Sequence, residues 1–518
     1  MFASTLLMAA AVVAATPEVP PGTPIVAIRV VRTDIFDLAD PQTSAWPYRW
    51  ANALHILTRE RFVRSLLLFR VGDKLNPALL AESERLLRAT GFLNPVDITA
   101  HPVPGGAEVV VVTHDQWTTE VGVSFGMFGS RKHSGGSLSE ENFLGWGKTL
   151  DVEFDKNPER KTTTFTYEDP LFLETRWQLK VQYKNASDGK TDAFQLEYPF
   201  FALATQLAGG VEWERQTQKD YLYAGNRKVV SGDAQHHHFL LWGGLRLPGD
   251  DIFTNRLTFG VFSDEAKFAD WRRADGTPYP TPSGREMAGF QIGWQHLADR
   301  WIVVRGFRGW VRQEDVSIGP NWSVNVGLSP PFLGGDRTRV PLSAEFDVAS
   351  LAGRQYSWLQ SAFNARLENG RVDNAVTTVV VGTAKTGPVG WRARVQVDLG
   401  SRLDLDQQLT LGADTGLRGW DPDTFDGTSR AVANVEWRHK LTGEVLHLAV
   451  FGIAVFADAG QTWNPRVGPS TEGLRKDAGL GLLIESTRAS LLRVVRVEAA
   501  WPDRGKGPLF LVSGESLF

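Results

Sequence analysis

The segment GADTGLRGWDPDTFDG, residues 412–427, interleaves glycines and acids around one arginine, Arg418. Glycine-rich loops that carry charge often bind phosphate through their backbone amides. This segment lacks the G-K-[ST] of a P-loop, however, and does not lie between a strand pattern and a helix pattern. Two interpretations of Arg418 remain: an exposed turn residue, or a side chain that reaches into an enclosed polar space.

Other residues that could do chemistry point away from catalysis and metal binding. His236, His237 and His238 are consecutive, so on a strand only the outer two share a face, and no third ligand is evident nearby. Acids such as Asp155 and Glu168 are interpreted as solvated charges rather than as a general acid/base pair. The chain has no G-x-S-x-G motif and no cysteine. The sequence therefore predicts a protein that is not an enzyme and binds neither a metal ion nor a cofactor.

The composition favours strands and turns. The 518-residue chain is longer than one ordinary domain, and its net charge of −4 gives no basis for a nucleic-acid partner. Glycine (51), tryptophan (18) and phenylalanine (29) are abundant while methionine (4) is scarce, which is typical of many turns and strands rather than a helical core. Beyond the N-terminus, no segment approaches the ~18 apolar residues of a membrane helix.

The N-terminus has the pattern of an export signal. An apolar run over residues 6–15, with Val13 and Ala15 near its end, predicts a signal peptide over residues 1–15 and a Pro-rich spacer over 16–23. The run departs from that pattern because no Lys or Arg precedes it. The alternative is an apolar N-terminal segment with no role in export.

Residues 24–115 combine strand and helix patterns. A strand pattern begins at Ile25, helical spacing covers 50–68, and a second helix follows with Asn76 as its cap and Pro77 at its first position. Two strands joined by a Pro-Gly-Gly turn complete the region. The order β-α-α-β-β predicts a small α+β domain.

Residues 116–518 show a different pattern, in which apolar and charged residues alternate over about ten positions at a time. RWQLKVQYK, KTLDVEFDK and WRARVQVDL each place one apolar face opposite one charged face. Segments of ~10 residues with this alternation are what a transmembrane β-barrel requires, although a soluble β-domain would also alternate. Counting the runs gives roughly 16–20 strands, and such barrels have even numbers. The polar connections 218–232, 267–284 and 316–337 are interpreted as external loops.

Several motifs, taken in order, resemble the BamA/TamA-type outer-membrane assembly factors, the bacterial surface antigen family, and their two-partner-secretion relatives. FRVGDKL and the helix after it are similar to one POTRA domain, and LSEENFLGWGKTL is similar to the first hairpin of the barrel with its Asn-x-x-Gly-x-Gly. YEDPLFL resembles a strand-ending Asp-Pro. LRGW matches the [VL]-R-G-[FYW] loop motif, followed by NVEWRHKL and by VFADAGQTW, and the chain ends in Phe518.

The resemblance implies a POTRA domain over 24–115 followed by an antiparallel outer-membrane barrel over 116–518 with sixteen strands. It also implies that one long loop folds back into the lumen, where Arg418 meets Glu436 and Asp458. A guanidinium suits such a confined ion pair because it binds a carboxylate through two parallel hydrogen bonds and stays charged. The residues carried over to this loop and its expected surroundings are Leu417, Arg418, Gly419, Trp420, Glu436, Asp458 and Gly460.

The function implied is outer-membrane protein assembly or translocation. The POTRA domain would lie in the periplasm and capture unfolded or exported client proteins by strand addition. A seam between the first and last strands would then open into the lipid bilayer. The glycines that weaken strand pairing there, together with the terminal residue, are Gly122, Gly126, Gly514 and Phe518. Alternatives are a two-partner-type secretion pore and a passive outer-membrane channel; accessory subunits of the envelope are further expected partners.

Overall fold

The protein is described from a computed structural model that covers residues 19–128, 131–157, 159–249, 253–468, 473–489, 494–505 and 507–514. The predicted signal peptide over residues 1–15 and the terminal Phe518 lie outside the described residues. The chain is predominantly β-structured, as the alternating pattern predicts. None of the described helices is long and apolar enough to cross a membrane.

Residues 24–115 fold into a small sheet covered by helices. The strands are β1 (Ile25–Thr33), β2 (Leu93–Val103) and β3 (Gly106–Asp115), in the order β1-β3-β2, with β1 parallel to β3. The helices are α1 (Trp46–Leu54), α2 (Glu60–Leu66) and α3 (Pro77–Ala89), so the helical spacing over 50–68 belongs to two helices rather than one. Asn76 caps α3 by accepting a hydrogen bond from the Ala78 amide at 3.0 Å.

An apolar core holds this N-terminal domain together. Phe62 and Val63 of α2, Leu87 of α3, and Val109 and Val111 of β3 are all buried in it. Every second residue of β3 points into the same core as one face of α2 and one face of α3. This shared core explains why the two-residue period of a strand and the 3.6-residue period of a helix both occur in so short a segment. In contrast, α1 contains no buried residue.

The described residues of the remaining chain form one antiparallel barrel of twenty strands in which the last strand, β27, lies next to the first, β4. Two short hairpins, β14–β15 and β21–β22, lie outside the ring order. The strands after β3 are β4 (Thr119–Phe128), β5 (Arg131–Glu140), β6 (Thr149–Lys156), β7 (Lys161–Phe172), β8 (Trp177–Ala186), β9 (Gly189–Tyr198), β10 (Leu207–Ala224), β11 (Arg227–Arg246), β12 (Phe253–Arg273), β13 (Arg285–Ala298), β14 (Trp301–Val304), β15 (Glu314–Ser317), β16 (Asn321–Leu328), β17 (Arg339–Ala352), β18 (Gln355–Glu368), β19 (Arg371–Lys385), β20 (Val389–Ser401), β21 (Leu409–Leu411), β22 (Phe425–Gly427), β23 (Ser429–Lys440), β24 (Ala449–Trp463), β25 (Arg475–Ser486), β26 (Val494–Pro502) and β27 (Leu509–Ser513). Short 3-10 turns span Phe143–Gly145, Pro331–Leu333 and Ala413–Thr415.

The expected sixteen strands are wrong, because the barrel has twenty. Five of these strands follow the loop that contains Arg418, and fifteen precede it. Twenty lies within the 16–20 strands counted from the alternating runs.

Of the three predicted external loops, 218–232 is largely strand, and 267–284 and 316–337 are strand in part. β10 and β11 continue through 218–232 and are joined by a tight turn at Gly225 and Asn226, both with positive φ. β12 continues to Arg273, and 316–337 contains all of β16. The polar composition misled the prediction because β10, β11 and β12 are 18, 20 and 21 residues long, far more than the ~10 residues needed to span a bilayer. Their outer parts are rich in polar residues, although Leu222, Val230 and Trp271 form a small buried apolar cluster there.

The barrel wall is apolar outside and polar inside. In β23, Val435 and Trp437 are 54% and 41% exposed on the outer face, whereas Asn434, Glu436 and Arg438 are buried on the inner face. The same alternation continues in β24 and β25. Two connections fold back into this polar interior and are named here by the end of the barrel from which they enter. The far-end loop is 402–428, and the near-end segment, on the side of the N-terminal domain, is 299–320.

Candidate functional site

The far-end loop enters the barrel as a compact unit of its own. Its hairpin β21–β22 pairs Leu411 with Phe425, and these two side chains pack with Leu417 and with Val432 of the wall into a small buried apolar cluster. Trp420 lies against Phe425, with ring centroids 5.0 Å apart. This apolar support fixes the loop backbone, so that the residue between Leu417 and Gly419 points away from the cluster and toward the wall.

Arg418 lies at the tip of the loop and is fully buried. Its Nε and Nη2 donate to the two carboxylate oxygens of Asp458 at 2.8 and 2.9 Å, and its Nη1 donates to Glu436 at 2.9 Å and to Glu498 at 3.2 Å. The guanidinium carbon also lies 3.4 Å from the ring centroid of Phe456. The two predicted acids thus both contact Arg418, and Glu498 is a third that sequence reasoning missed.

The acids that hold Arg418 are shared with two further arginines of the wall. Arg496 donates to Glu436 at 2.6 Å and also contacts Glu498, and Arg438 contacts Glu436. Three guanidinium groups therefore meet three carboxylates in this buried cluster, and a fourth buried carboxylate, that of Asp477, lies opposite Asp458 on the neighbouring strand. Because burial makes an unpaired charge expensive, such a network is stable only with all of its members present.

Two glycines of the predicted set allow this close approach. A Cβ on Gly419 would lie 2.4 Å from Cβ of Asp477, and a Cβ on Gly460 would lie 2.8 Å from a methyl group of Leu411. Both positions therefore need glycine for space rather than for backbone conformation. Trp420, the last residue of the motif, donates its indole N–H to the Lys476 carbonyl at 3.3 Å.

The near-end segment repeats the same local sequence. Residues 306–310 read GFRGW and residues 416–420 read GLRGW, a similarity that could have been found by comparing the chain with itself. Each copy places its second glycine against an acid of β25: Gly419 against Asp477, and Gly309 against Glu485. The amides of Trp310 and Val311 both donate to Glu485, at 2.5 and 3.1 Å. This second site was not predicted, because residues 306–310 have no strand or helix periodicity and their partner Glu485 is distant in the chain.

The two copies use their arginines differently. Arg418 is buried among acids, whereas Arg308 is exposed to the interior of the barrel and lines a cavity of about 670 Å³ between the near-end segment, α3 and the wall. The near-end copy is held instead through its backbone, because Arg438 donates to the Arg308 carbonyl at 3.2 Å. Trp310 also packs against Gly452 of β24. The near-end segment therefore covers part of the barrel mouth without filling the lumen.

The near-end segment also contacts the N-terminal domain. Arg88 of α3 donates through Nε and Nη2 to both carboxylate oxygens of Asp315, at 2.8 and 2.7 Å. Its side chain is 4% exposed and that of Asp315 is 14% exposed, so this pair is largely shielded from water. Arg312 donates to the Gly91 carbonyl at 2.6 Å, and Asn94 donates to the Gln313 carbonyl at 3.1 Å. One segment thus joins the N-terminal domain to the interior of the barrel.

A second contact between domain and barrel is made by the Asn-x-x-Gly-x-Gly stretch. Asn142 donates to the Thr58 hydroxyl at 2.8 Å, and that hydroxyl and the Thr58 amide both donate to Asp115 at 2.7 Å. Gly147, with a φ of 64°, lies so close to the Phe62 ring that a Cβ there would be 2.3 Å from it. Burial raises the pKa of Asp115 to about 6, against the lowering effect of the Thr58 hydrogen bonds.

The predicted seam residues lie where the ring of strands begins and ends. Gly122 and Gly126 are in β4, which pairs with β5 and lies next to β27. Gly514 directly follows β27, and Phe518 lies outside the described residues. β27 has five residues, Leu509–Ser513, and its register with β26 covers those five. In the described part of the chain, the pairing of β27 with β26 is therefore much shorter than the pairing between β10 and β11.

The three consecutive histidines lie in the middle of β11, and each is near an acid of a neighbouring strand. His238 lies 2.6 Å from Asp264, His237 lies 3.3 Å from Glu265, and His236 lies 3.8 Å from Asp220. Each histidine has its own partner, so the side chains do not converge on one point. Within the described ranges, no group of three or more His, Asp or Glu side chains is arranged to hold a metal ion.

Comparison with known proteins gives matches in structure alone. No family model and no curated protein sequence matches the chain. CdiB from Escherichia coli is similar with 15% identity and a TM-score of 0.47, over 95% of this chain and 76% of that chain. CdiB from Acinetobacter baumannii is similar with 10% identity and a TM-score of 0.44, over 95% and 73%. BamA from Haemophilus ducreyi lacking POTRA domains 1-3 is similar with 14% identity and a TM-score of 0.38, over 94% and 84%.

Proposed function

We propose that this chain is an outer-membrane assembly or translocation factor of the BamA/TamA-type superfamily, with its N-terminal domain acting as a single periplasmic POTRA domain. The observation that carries the proposal is the buried Arg418, which ties a long loop to three acids on the inner wall of a barrel that is apolar outside. A passive channel has no need for so costly an anchor in its lumen.

The proposed first step is capture of an extended client segment at the N-terminal sheet. In the order β1-β3-β2, β1 and β2 are the edge strands. Each has one side on which no described strand of that sheet is paired with it. Such an edge offers backbone donors and acceptors to an added strand. β3, the central strand, ends at Asp115, next to the first barrel strand, so a client held on this sheet is close to β4.

The proposed second step is transfer at the seam between β4 and β27. Within the described residues, pairing along β27 covers Leu509–Ser513, and β4 contains Gly122 and Gly126, which weaken a strand because glycine has no side chain to pack. Opening this edge breaks fewer of the described hydrogen bonds than opening any of the long hairpins would. A client strand then replaces the lost pairing, so that each backbone group remains satisfied within the bilayer.

The test is reconstitution of the full chain in liposomes with an unfolded, unrelated barrel protein as the client. We expect the client to reach its folded, heat-modifiable form faster than in protein-free liposomes. An Arg418→Ala variant is expected to lose this acceleration, whereas Arg402→Ala, a change at an exposed arginine of the same loop, should keep it. A steady ionic current without any effect on client folding would favour a pore over an assembly factor.

A further inference from the structure

Helix α1 of the N-terminal domain presents an apolar face that nothing in the described chain covers. It has no buried residue, and Trp46, Trp50 and Leu54 are 73%, 64% and 63% exposed. These positions are four residues apart, so the three side chains form one stripe along the helix. Ile56, just past the helix, adds a further exposed side chain. Apolar surface of this extent in a soluble setting indicates a binding partner.

The position of α1 is fixed by contacts with the barrel rim. We call residues 441–448, the connection between β23 and β24, the rim turn. Tyr48 of α1 donates to the Leu446 carbonyl at 3.0 Å, and its ring meets His447 edge-on at 6.3 Å. On the inner side, Tyr48 packs on Phe36 with ring centroids 4.8 Å apart. The helix is therefore held at the near-end edge of the wall rather than beneath the lumen.

The rim turn continues the apolar outer face of the barrel toward α1. Its exposed apolar side chains include Leu441, Leu446 and Leu448, at 51%, 70% and 46%. They follow Trp437, an outward-facing residue of β23 near the same end. The exposed surface is thus apolar from the wall, over the rim turn, to the stripe on α1.

We infer that α1 lies in the interface of the lipid bilayer, with Trp46, Trp50 and Leu54 inserted among the lipids at the near-end leaflet. This inference rests on the proposed membrane location of the barrel. Helices of this kind bury their apolar face about 5–10 Å into the boundary between headgroups and acyl chains, and tryptophan favours that depth. The single charged residue of α1 is Arg49, so the helix carries no acid that anionic lipid headgroups would repel.

A lipid partner explains the surface better than a protein partner does. A client or a second copy would have to bind at the rim while the outer face of the wall beside it is occupied by lipid. The bilayer already covers that outer face. If the lipid contact continues over the width of one more helix, it covers α1 as well, and no further molecule is needed. The membrane contact also orients the N-terminal domain, because α1 and the near-end segment hold it from two sides.

The chain has no cysteine, so single labelling sites can be introduced without a background. Trp50→Cys places a polarity-sensitive fluorophore on the stripe. Arg70→Cys is the matched control, because the Arg70 side chain is 89% exposed and its polar contacts stay within the N-terminal domain. Each variant is reconstituted as the full chain in vesicles of phosphatidylethanolamine and phosphatidylglycerol that contain lipids brominated near the headgroup end of the acyl chain.

We expect bromine to quench the Trp50→Cys label several-fold more strongly than the Arg70→Cys label, without any client present. Equal quenching at the two sites, or protection of the Trp50→Cys label only after a client or excess chain is added, would overturn the inference. Client folding is measured on the same vesicles. Normal client folding without quenching would reject the lipid contact alone, whereas quenching without client folding would reject the proposed function alone.

Discussion

At the scale of single residues, Arg418 is the side chain on which the interior of the barrel depends. Replacing Arg418 with alanine leaves Asp458, Glu436 and Glu498 buried with one fewer cation among them. We expect the variant to insert but to lose about 3–5 kcal/mol of stability, the usual cost of breaking a buried ion pair from one side. Urea unfolding, followed by heat-modifiable gel mobility, measures this loss.

The control for this prediction is Arg402→Ala. Arg402 belongs to the same loop, but its side chain is 55% exposed and lies 3.8 Å from Asp373, so its removal should change stability by less than 1 kcal/mol. An Arg418→Ala barrel as stable as the Arg402→Ala barrel would show that the three acids do not need a cation.

Asp115 gives a residue-scale prediction for pH. Burial raises the pKa of Asp115 from 3.8 to about 6 in the folded domain. Between about pH 4 and pH 6 the folded domain keeps a proton that the unfolded chain has released, so the stability of the N-terminal domain falls as pH rises through this window. The full shift corresponds to roughly 3 kcal/mol. Hydrogen exchange of the β3 amides in the full chain, corrected for intrinsic rates, measures it.

The matched variant is Asp115→Asn, which keeps an acceptor for Thr58 but cannot ionise. His55 and Asp34 are the other titratable groups near this carboxyl, and both remain in the variant. A slope of stability against pH that survives in Asp115→Asn would assign the effect to one of those two groups instead.

The sequence predicted the centre of this site well, for a physical reason. Arg418, Glu436 and Asp458 stand in motifs whose order along the chain is specific, and each acid occupies an inward position of an alternating strand. Glu498 occupies the same kind of position but has no motif around it, so only the three-dimensional register of β26 brings it to Arg418. Contacts set by the ring of strands cannot be predicted from spacing along the chain.

At the scale of elements, the near-end segment is expected to restrict the passage of ions. Asp315 links it to α3 and Glu485 links it to the wall. Asp315→Ala removes the first link and leaves Arg88 without its bidentate partner, so we expect the segment to leave the mouth more often. The measurement is current through planar bilayers, in which open events should become more frequent and longer than in the unchanged protein.

The control at this scale is Glu174→Ala. Glu174 also pairs with the N-terminal domain, through Arg61, but both side chains are more than half exposed and neither touches the near-end segment. This change should leave the current as it was, since exposed pairs contribute little. If Asp315→Ala and Glu174→Ala barrels conduct alike, the near-end segment does not close the mouth.

Elements were predicted well where one pattern persisted and poorly where it changed along the strand. α3 was recognised from its cap, Asn76, and from Pro77 at its first position, and barrel strands such as β6, β8 and β20 from their alternation. β10, β11 and β12 were cut short because their outer halves are rich in polar residues. The near-end segment was missed because its fold depends on partners in α3 and β25, distant in the chain, and not on local periodicity.

At the scale of the whole molecule, the number of barrel strands was the property that was hardest to predict from the sequence. The barrel motifs that carry the resemblance lie between the first hairpin and β7, and from the far-end loop onward, so they contain no information on the strands between these two parts. In that region only the alternation of apolar and polar residues indicates how many strands there are. The described barrel has four more strands than the sixteen that the resemblance implies. A barrel widened in this way has more interior to cover, which is consistent with loops entering it from both ends.

The N-terminal domain and the barrel are expected to move as one body held by several contacts. Two buried ones are Asn142 with Thr58, and Asp315 with Arg88. Because the other contacts remain when one of these is removed, Asn142→Ala and Asp315→Ala should each have a small effect, whereas the double variant should loosen the domain. The measurement is fluorescence anisotropy of a label on Arg70→Cys in the full chain, which should fall clearly only in the double variant. Heat-modifiable mobility of the barrel should stay unchanged in all three. A fall of similar size in a double variant of Asn142→Ala with Glu174→Ala would mean that the near-end segment is not the second contact, because Glu174 pairs with the same domain outside it.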